Sequence, residues 1–144
     1  MHMKGEPETM QEDPYYDDVV DEVYTFLKDR ITFAKQAGIS QIIIDPGIGF
    51  GKRLIDNLEL QRSIRHFTSL GNPVLIGASR KSFIGAILNL PVDQRLEGSL
   101  AAAVVGVVHG VSIVRVHDVD ATRRAIRVTE AIKEGTGYTQ SLSG

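Results

Sequence analysis

The chain has 144 residues, 42% of them hydrophobic and 24% charged, which fits one ordinary globular domain with a core of its own. A net charge of −2 leaves no electrostatic footprint for a nucleic-acid binder, and the lack of cysteine excludes a disulfide framework and a thiolate metal site. No apolar run approaches the roughly 18 residues of a membrane span, and the opening MHMKGEPETMQEDPYYDD has no apolar stretch of the signal-peptide kind, so the expectation is a cytoplasmic protein working on small molecules, with neither nucleic acid nor membrane as partner.

In chain order, Val19, Val20, Val23, Phe26, Leu27, Ile31 and Ala34 fall at helical spacing, and Gly38 reads as the stop. QIIID follows as a short β-branched run that breaks at Pro46, a first strand ending at Asp45. Residues 54–70 read as a helix closed by Gly71, and PVLIGAS as a second buried strand. A short helix is predicted over 81–88, Pro91 interrupts, and 94–108 reads as a very apolar helix. VSIVRVHDV reads as a third strand, 121–134 as an amphipathic helix and GTGYTQSLSG as a disordered tail. No linker or second domain stands out. The expected division is a folded unit over 1–135 and a flexible tail over 136–144.

Strands and helices alternate, and the strands are almost continuously apolar. That pattern implies an α/β fold with a parallel sheet covered by helices. Such folds collect their ligands at the carboxyl ends of the strands. All three strands here end in polar groups: Asp45; then Ser79, Arg80, Lys81 and Ser82; then Arg115, His117 and Asp118.

Each end has its own chemistry. A carboxylate at Asp45 can accept two parallel N–H bonds from an amidine-like edge, as on a pterin or guanine, or it can cap its own turn. The glycines of GIGFGK lack the spacing of a phosphate loop. Arg80 and Lys81 are adjacent and point to different sides; the lysine is a movable point charge, the arginine a flat plate that can stack on an aromatic ligand. Ser82, at the start of a helical segment, could bind a carboxylate or simply cap the helix. Arg115 and His117 alternate on their strand and face the same way. Beside a helix start, capped by Asp118 or Asp120, they suit a phosphate or diphosphate, or else a local salt bridge. Arg123, Arg124 and Arg127 read as a solvated face, and His66 and His109, within helices, are given no function.

MHMKG, TMQ, DPGIGFGK, GASRKSFIG, RLEGSLAAAVVG and VRVHDV, in that order and at that spacing, resemble dihydropteroate synthase over nearly the whole chain. The SRKS and RVHDV segments are specific to that family; the aspartate–proline–glycine turn is shared more widely among pterin-binding barrels. The resemblance implies condensation of 6-hydroxymethyl-7,8-dihydropterin diphosphate with p-aminobenzoate in folate biosynthesis, the family's step being a sulfonamide target. It implies pterin contacts at Asp45, Lys81 and Met1, and p-aminobenzoate contacts at Ser82, Arg80, Gly49 and Phe50. It assigns the diphosphate to Arg115 and His117, with Asp45, Lys81, Arg115 and His117 as the catalytic set.

The resemblance also implies a homodimer. A complete (β/α)₈ barrel needs about 250 residues. The chain therefore resembles the C-terminal half of such a barrel, with MHM as the stub of a further strand. The ligand for Mg2+, the family's cofactor, is expected in the other half, with no metal ligand in this chain. The fragment alone is expected to be inactive, and its exposed half-barrel edge to drive association. Two other readings stay open: a methyltetrahydrofolate methyltransferase of the same pterin-binding class, against which Arg80–Lys81 argue, and a non-catalytic pterin-binding or structural half-barrel.

Overall fold

The structure, a computed structural model, describes residues 1–10 and 12–137. Helix α1, Val19–Gln36, begins where the Asp18 side chain accepts from the backbone N–H groups of Val20 and Asp21. It buries Val19, Val23, Leu27 and Ile31, one stripe at i, i+4 spacing. Gly38 follows at φ 82°, and its N–H bonds the carbonyl of Lys35, so the predicted glycine stop is present.

The helix predicted over 54–70 is two: α2, Leu54–Arg62, and α3, Ile64–Thr68. Ser63 leaves the helical conformation at ψ 13°, and its N–H is shared between the carbonyls of Glu59 and Leu60. The inward face continues across the break, because Leu60, Ile64 and Phe67 are all fully buried. The remaining elements are β1, Leu75–Ile76; α4, Ser82–Leu88; a 3₁₀ turn over Val92–Gln94; α5, Leu96–Val108; β2, Ile113–Val114; and α6, Val119–Glu134. Of the predicted tail, Gly135–Gly137 form a 3₁₀ turn, and the rest lies outside the described residues.

β1 and β2 pair in parallel, Leu75 with Ile113 and Ile76 with Val114. All three predicted strands are shorter than expected: PVLIGAS keeps only Leu75–Ile76, VSIVRVHDV only Ile113–Val114, and the first is reduced to a bridge. In that first segment only Ile44 forms a ladder bridge, parallel to Val74, among the described residues. On its other side the His2 N–H bonds the Asp45 carbonyl at 3.0 Å, so residue 2 continues the lateral order. The order across is thus His2, Ile44, β1, β2. The α/β reading holds, with far more helix than strand. Ile44, Ile48, Val74, Ile76 and Ala78 meet Val23, Leu27, Leu60, Ile64 and Phe67 in one core. The parallel direction brings the carboxyl ends of all three segments to one side.

Candidate active site

The first strand end is a loop gripped residue by residue. Asp45 Oδ1 accepts from the Gly47 N–H at 2.7 Å. Lys81 Nζ donates to the Ile48 carbonyl. Asn57 Oδ1 accepts from the Gly49 N–H at 2.6 Å, Lys52 Nζ donates to the Phe50 carbonyl at 2.9 Å, and the Tyr16 hydroxyl donates to the Gly51 carbonyl at 2.7 Å. Glycine is required at the alternate positions. Gly47 and Gly51 lie at φ 73° and 60°, and a Cβ there would collide with the carbonyl oxygens of His2 and Lys4. The loop is therefore wrapped around the chain's first residues.

The second end leaves β1 through Gly77, where the Arg115 guanidinium lies across the backbone and leaves no room for a Cβ. Arg80 is left-handed at φ 58°, a strained state for a side-chain-bearing residue. Several contacts hold it there: its N–H donates to Ser99 Oγ at 2.9 Å, and its carbonyl accepts from Arg95 Nη1 at 3.0 Å. Its guanidinium forks onto Asp118 at 3.0 and 2.6 Å. This twist sends Arg80 and Lys81 in opposite directions, as their adjacency implies. Lys81 turns to the first loop, its ammonium 4.2 Å over the Phe50 ring. Of the two candidate caps, Asp118 or Asp120, Asp118 stands at the N-cap of α6, but its carboxylate is taken by Arg80 and makes no cap bond. Ser82 is likewise not the N-cap; Lys81 is, and Ser82 is the exposed first residue of α4.

At the third end, Arg115 Nη2 stands 3.8 Å from Asp45 Oδ2, with its side chain 57% exposed. His117 Nδ1 lies 2.9 Å from Ser79 Oγ. Asp45, Gly49, Phe50, Lys81 and Arg115 therefore share one cluster. His117 and Arg80 flank it through Ser79 and Asp118. Met1 is exposed, one residue before the His2–Asp45 bond, and Ser82 follows Lys81 at the rim.

The electrostatics are unusual for so small a region. Burial lowers the Lys81 ammonium to a pKa of about 8; Asp45 pulls it up and Arg115 pushes it down. Burial also lowers Lys52 to about 8, with Asp45 and Asp56 opposing and Lys81 assisting. His2, buried beside Lys52, is held down to about 4, by burial first and then by the Lys52 charge. Hydrogen bonding to Arg80 holds the Asp118 carboxyl below the usual carboxylate range.

Sequence reasoning missed the supports of this cluster. Asn57 had a signal: it shares a helical face with Leu60, Ile64 and Phe67, a polar residue on an apolar stripe. Lys52, His2, Arg95 and Ser99 had none beyond lying within the family-like motifs. Among the described residues, no group of three or more His, Cys, Asp or Glu side chains could hold a metal ion. No helix among the described residues is long and apolar enough to cross a membrane.

A parallel sheet whose strand ends carry an aspartate loop and a lysine–arginine pair defines a class, and comparison with known proteins agrees. The chain belongs to the pterin binding enzyme family, whose sequence profile matches residues 1–117. It is similar to the dihydropteroate synthases of Haemophilus influenzae and Escherichia coli K12, each 48% identical over 133 residues and 91% of this chain. It spans about half the length of these relatives, 48% and 47%. Among solved structures it resembles Yersinia pestis dihydropteroate synthase in a sulfonamide drug complex, with TM-score 0.90 and 41% identity, covering 92% of this chain and 49% of that one. It also resembles the Thermus thermophilus enzyme in complex with 4-aminobenzoate, with TM-score 0.88 and 45% identity over 92% of this chain and 55% of that one.

Proposed function

We propose that this chain is the C-terminal half of a pterin-binding (β/α)₈ barrel, folded over 1–135, and forms part of a dihydropteroate synthase active site. The reaction joins a dihydropterin diphosphate to p-aminobenzoate and releases diphosphate. The observation that carries the proposal is the convergence of Asp45, Lys81 and Arg115, with the carboxylate 3.8 Å from the guanidinium and the ammonium 4.2 Å over Phe50. The Thermus relative bound to 4-aminobenzoate supports the acceptor substrate.

The residues divide the work by chemistry. Asp45 spends one lone pair on Gly47 and keeps acceptor capacity for the 2-amino and ring N–H edge of a pterin. Arg115 and His117 neutralise the diphosphate as the carbon–oxygen bond to it breaks, which leaves a resonance-stabilised pterin cation. The aniline nitrogen then attacks that carbon and loses a proton to solvent or diphosphate. Lys81, with Gly49 and Phe50, walls the space between the two rings. Ser82 offers its hydroxyl and N–H to the benzoate carboxylate at the rim, and Met1 borders the pterin. Arg80 acts at one remove, since Asp118 holds its guanidinium. Mg2+ would serve the diphosphate from ligands outside this chain.

The exposed apolar residues of the late helices, Val105, Val108, Val128 and Ile132, support self-association as a dimer. The test mixes this chain with the pterin diphosphate, p-aminobenzoate and Mg2+, alone and with the first half of the E. coli relative, and assays dihydropteroate. Product only on mixing is expected. No product in either case, together with no binding of a dihydropterin by calorimetry, would overturn the proposal.

A further inference from the structure

We infer that Lys52 is a positioning residue of this site: its buried ammonium fixes the Phe50 carbonyl and so sets the ring on which Lys81 rests. Only the roles of Phe50 and Lys81 rest on the proposed function. The loop geometry beneath them is independent of that reading.

Lys52 is 4% exposed, and burying an ammonium is costly unless it is paired. Its partners are the Phe50 carbonyl at 2.9 Å and His2 Nδ1 at 3.0 Å, with the Tyr16 ring 5.9 Å away. With the ammonium charged, His2 must present a bare Nδ1, so the imidazole carries its proton on Nε2. A neutral donor would suffice merely to hold a carbonyl, and the loop already uses neutral groups elsewhere: the Tyr16 hydroxyl at Gly51 and the Asn57 amide oxygen at Gly49. At Phe50 the protein keeps a charge instead.

That charge faces four titratable groups. Asp45 and Asp56 attract it; Lys81 repels it; the neutral His2 ring accepts from it. Lys52 and Lys81 thus take two carbonyls of the same loop, Phe50 and Ile48, and the Asp45 charge attracts both ammoniums. Lys81 lies where substrate is proposed to bind, while Lys52 lies behind the loop. Its position sets where the Phe50 ring stands, how readily Lys81 exchanges the Ile48 carbonyl for a ligand, and what field Asp45 feels. Gly47 leaves room for that ammonium: a Cβ there would stand 3.4 Å from Lys52 Nζ as well as colliding with His2.

The test reads side chains directly. The chain is made with lysines labelled at the ε-carbon and phenylalanine labelled in the ring, and titrated by NMR over roughly pH 6 to 10. In Lys81→Met, where the overlying ammonium is gone, the Phe50 ring should still step with Lys52, at a midpoint above 8 because the repulsion from Lys81 is lost. In Lys52→Met, the Phe50 ring and the amides of residues 47–52 should shift at every pH, because the Phe50 carbonyl loses its donor. Lys52→Arg, which keeps a charged donor, should return the ring part of the way. A Phe50 ring that ignores the Lys52 titration overturns the inference, even if Lys52→Met fails to fold. So does a folded Lys52→Met with the Phe50 ring unmoved. Dihydropterin affinity should fall about tenfold in Lys52→Met, the loss expected for one charged hydrogen bond acting through the loop. If the wild-type chain binds no dihydropterin, the proposed function fails while the titrations still decide the role of Lys52.

Discussion

From Gly47 to Gly51 each residue has a backbone group held by a side chain, whereas Arg115 and His117, just beyond β2, are both exposed. The first region is built like a core; the second is built like a rim. The contrast suits the two tasks proposed for them. A flat ring must be placed to a fraction of an ångström, so its loop is fixed before the ligand arrives. A leaving group must depart, and an exposed guanidinium attracts a diphosphate without trapping it. A carboxylate 3.8 Å away gives Arg115 only a weak internal partner, which an anion can replace.

If the loop is core-like, its backbone should tolerate almost nothing. Gly47→Ala combines a positive φ of 73° with a Cβ that meets the His2 backbone, which cannot swing aside. A loss on the order of 4 kcal/mol is expected, or roughly 10 °C in the thermal midpoint. Gly38→Ala is the control, since its φ is 82° but no atom lies within 4 Å, and it should cost only about 1 kcal/mol. Equal losses in the two would show that the Gly47 clash is relieved by movement.

Acid should loosen the loop next. His2 titrates near 4 when folded against 6.5 when unfolded, so the unfolded chain binds the extra proton between those values. Its contribution is fully present above pH 6.5 and is lost as pH falls through 4, about 3 kcal/mol in all. Urea midpoints at pH 7, 5.5 and 4 measure it, and His2→Gln should flatten that part of the slope. An unchanged slope would mean that the imidazole is wetter than its burial implies.

Asn57 gives a smaller test of the same grip. Asn57→Leu removes the acceptor for the Gly49 N–H and the donor to the Lys52 and Arg53 carbonyls, with packing largely kept. About 2 kcal/mol is expected by chemical denaturation, with faster amide exchange confined to residues 47–52. Exchange spread over α1 as well would deny the loop its separate status.

The legibility of the molecule follows the same division. Helices with an apolar stripe and a stop, such as α1 with Gly38, were readable because the signals are local. The strand ends were readable because polar residues terminate apolar runs at Asp45, at Ser79–Ser82 and at Arg115–Asp118. The break at Ser63 was not, since Leu60, Ile64 and Phe67 keep one face on both sides of it. Nor was the shortness of the first strand, because ladder bonds depend on neighbours distant in sequence. The loop's supports come from residues such as Tyr16 and Lys81, 35 and 33 positions from the groups they hold. Arg80 and Asp118, 38 apart, form a fork that no local pattern announces. Asn57 was the exception: a polar residue on a buried helical face, and so in principle detectable.

Arg115→Met should have the smallest effect on stability and so tests the comparison from the other side. The guanidinium is 57% exposed and its one carboxylate partner is at 3.8 Å, so the ion pair is worth little in water. Methionine keeps the first part of the stem and removes the guanidinium that lies over Gly77. A stability change within about 0.5 kcal/mol is therefore expected. Binding should respond quite differently. Affinity for diphosphate, followed by calorimetry at low salt, should fall about tenfold or more, because a forked donor to phosphate oxygens is gone. The Lys81 midpoint should also rise, since after burial it is the Arg115 charge that pushes it down. A variant that loses stability like Gly47→Ala, or binds diphosphate unchanged, would show that Arg115 is part of the framework, and the distinction between a fixed loop and an open rim would fall with it.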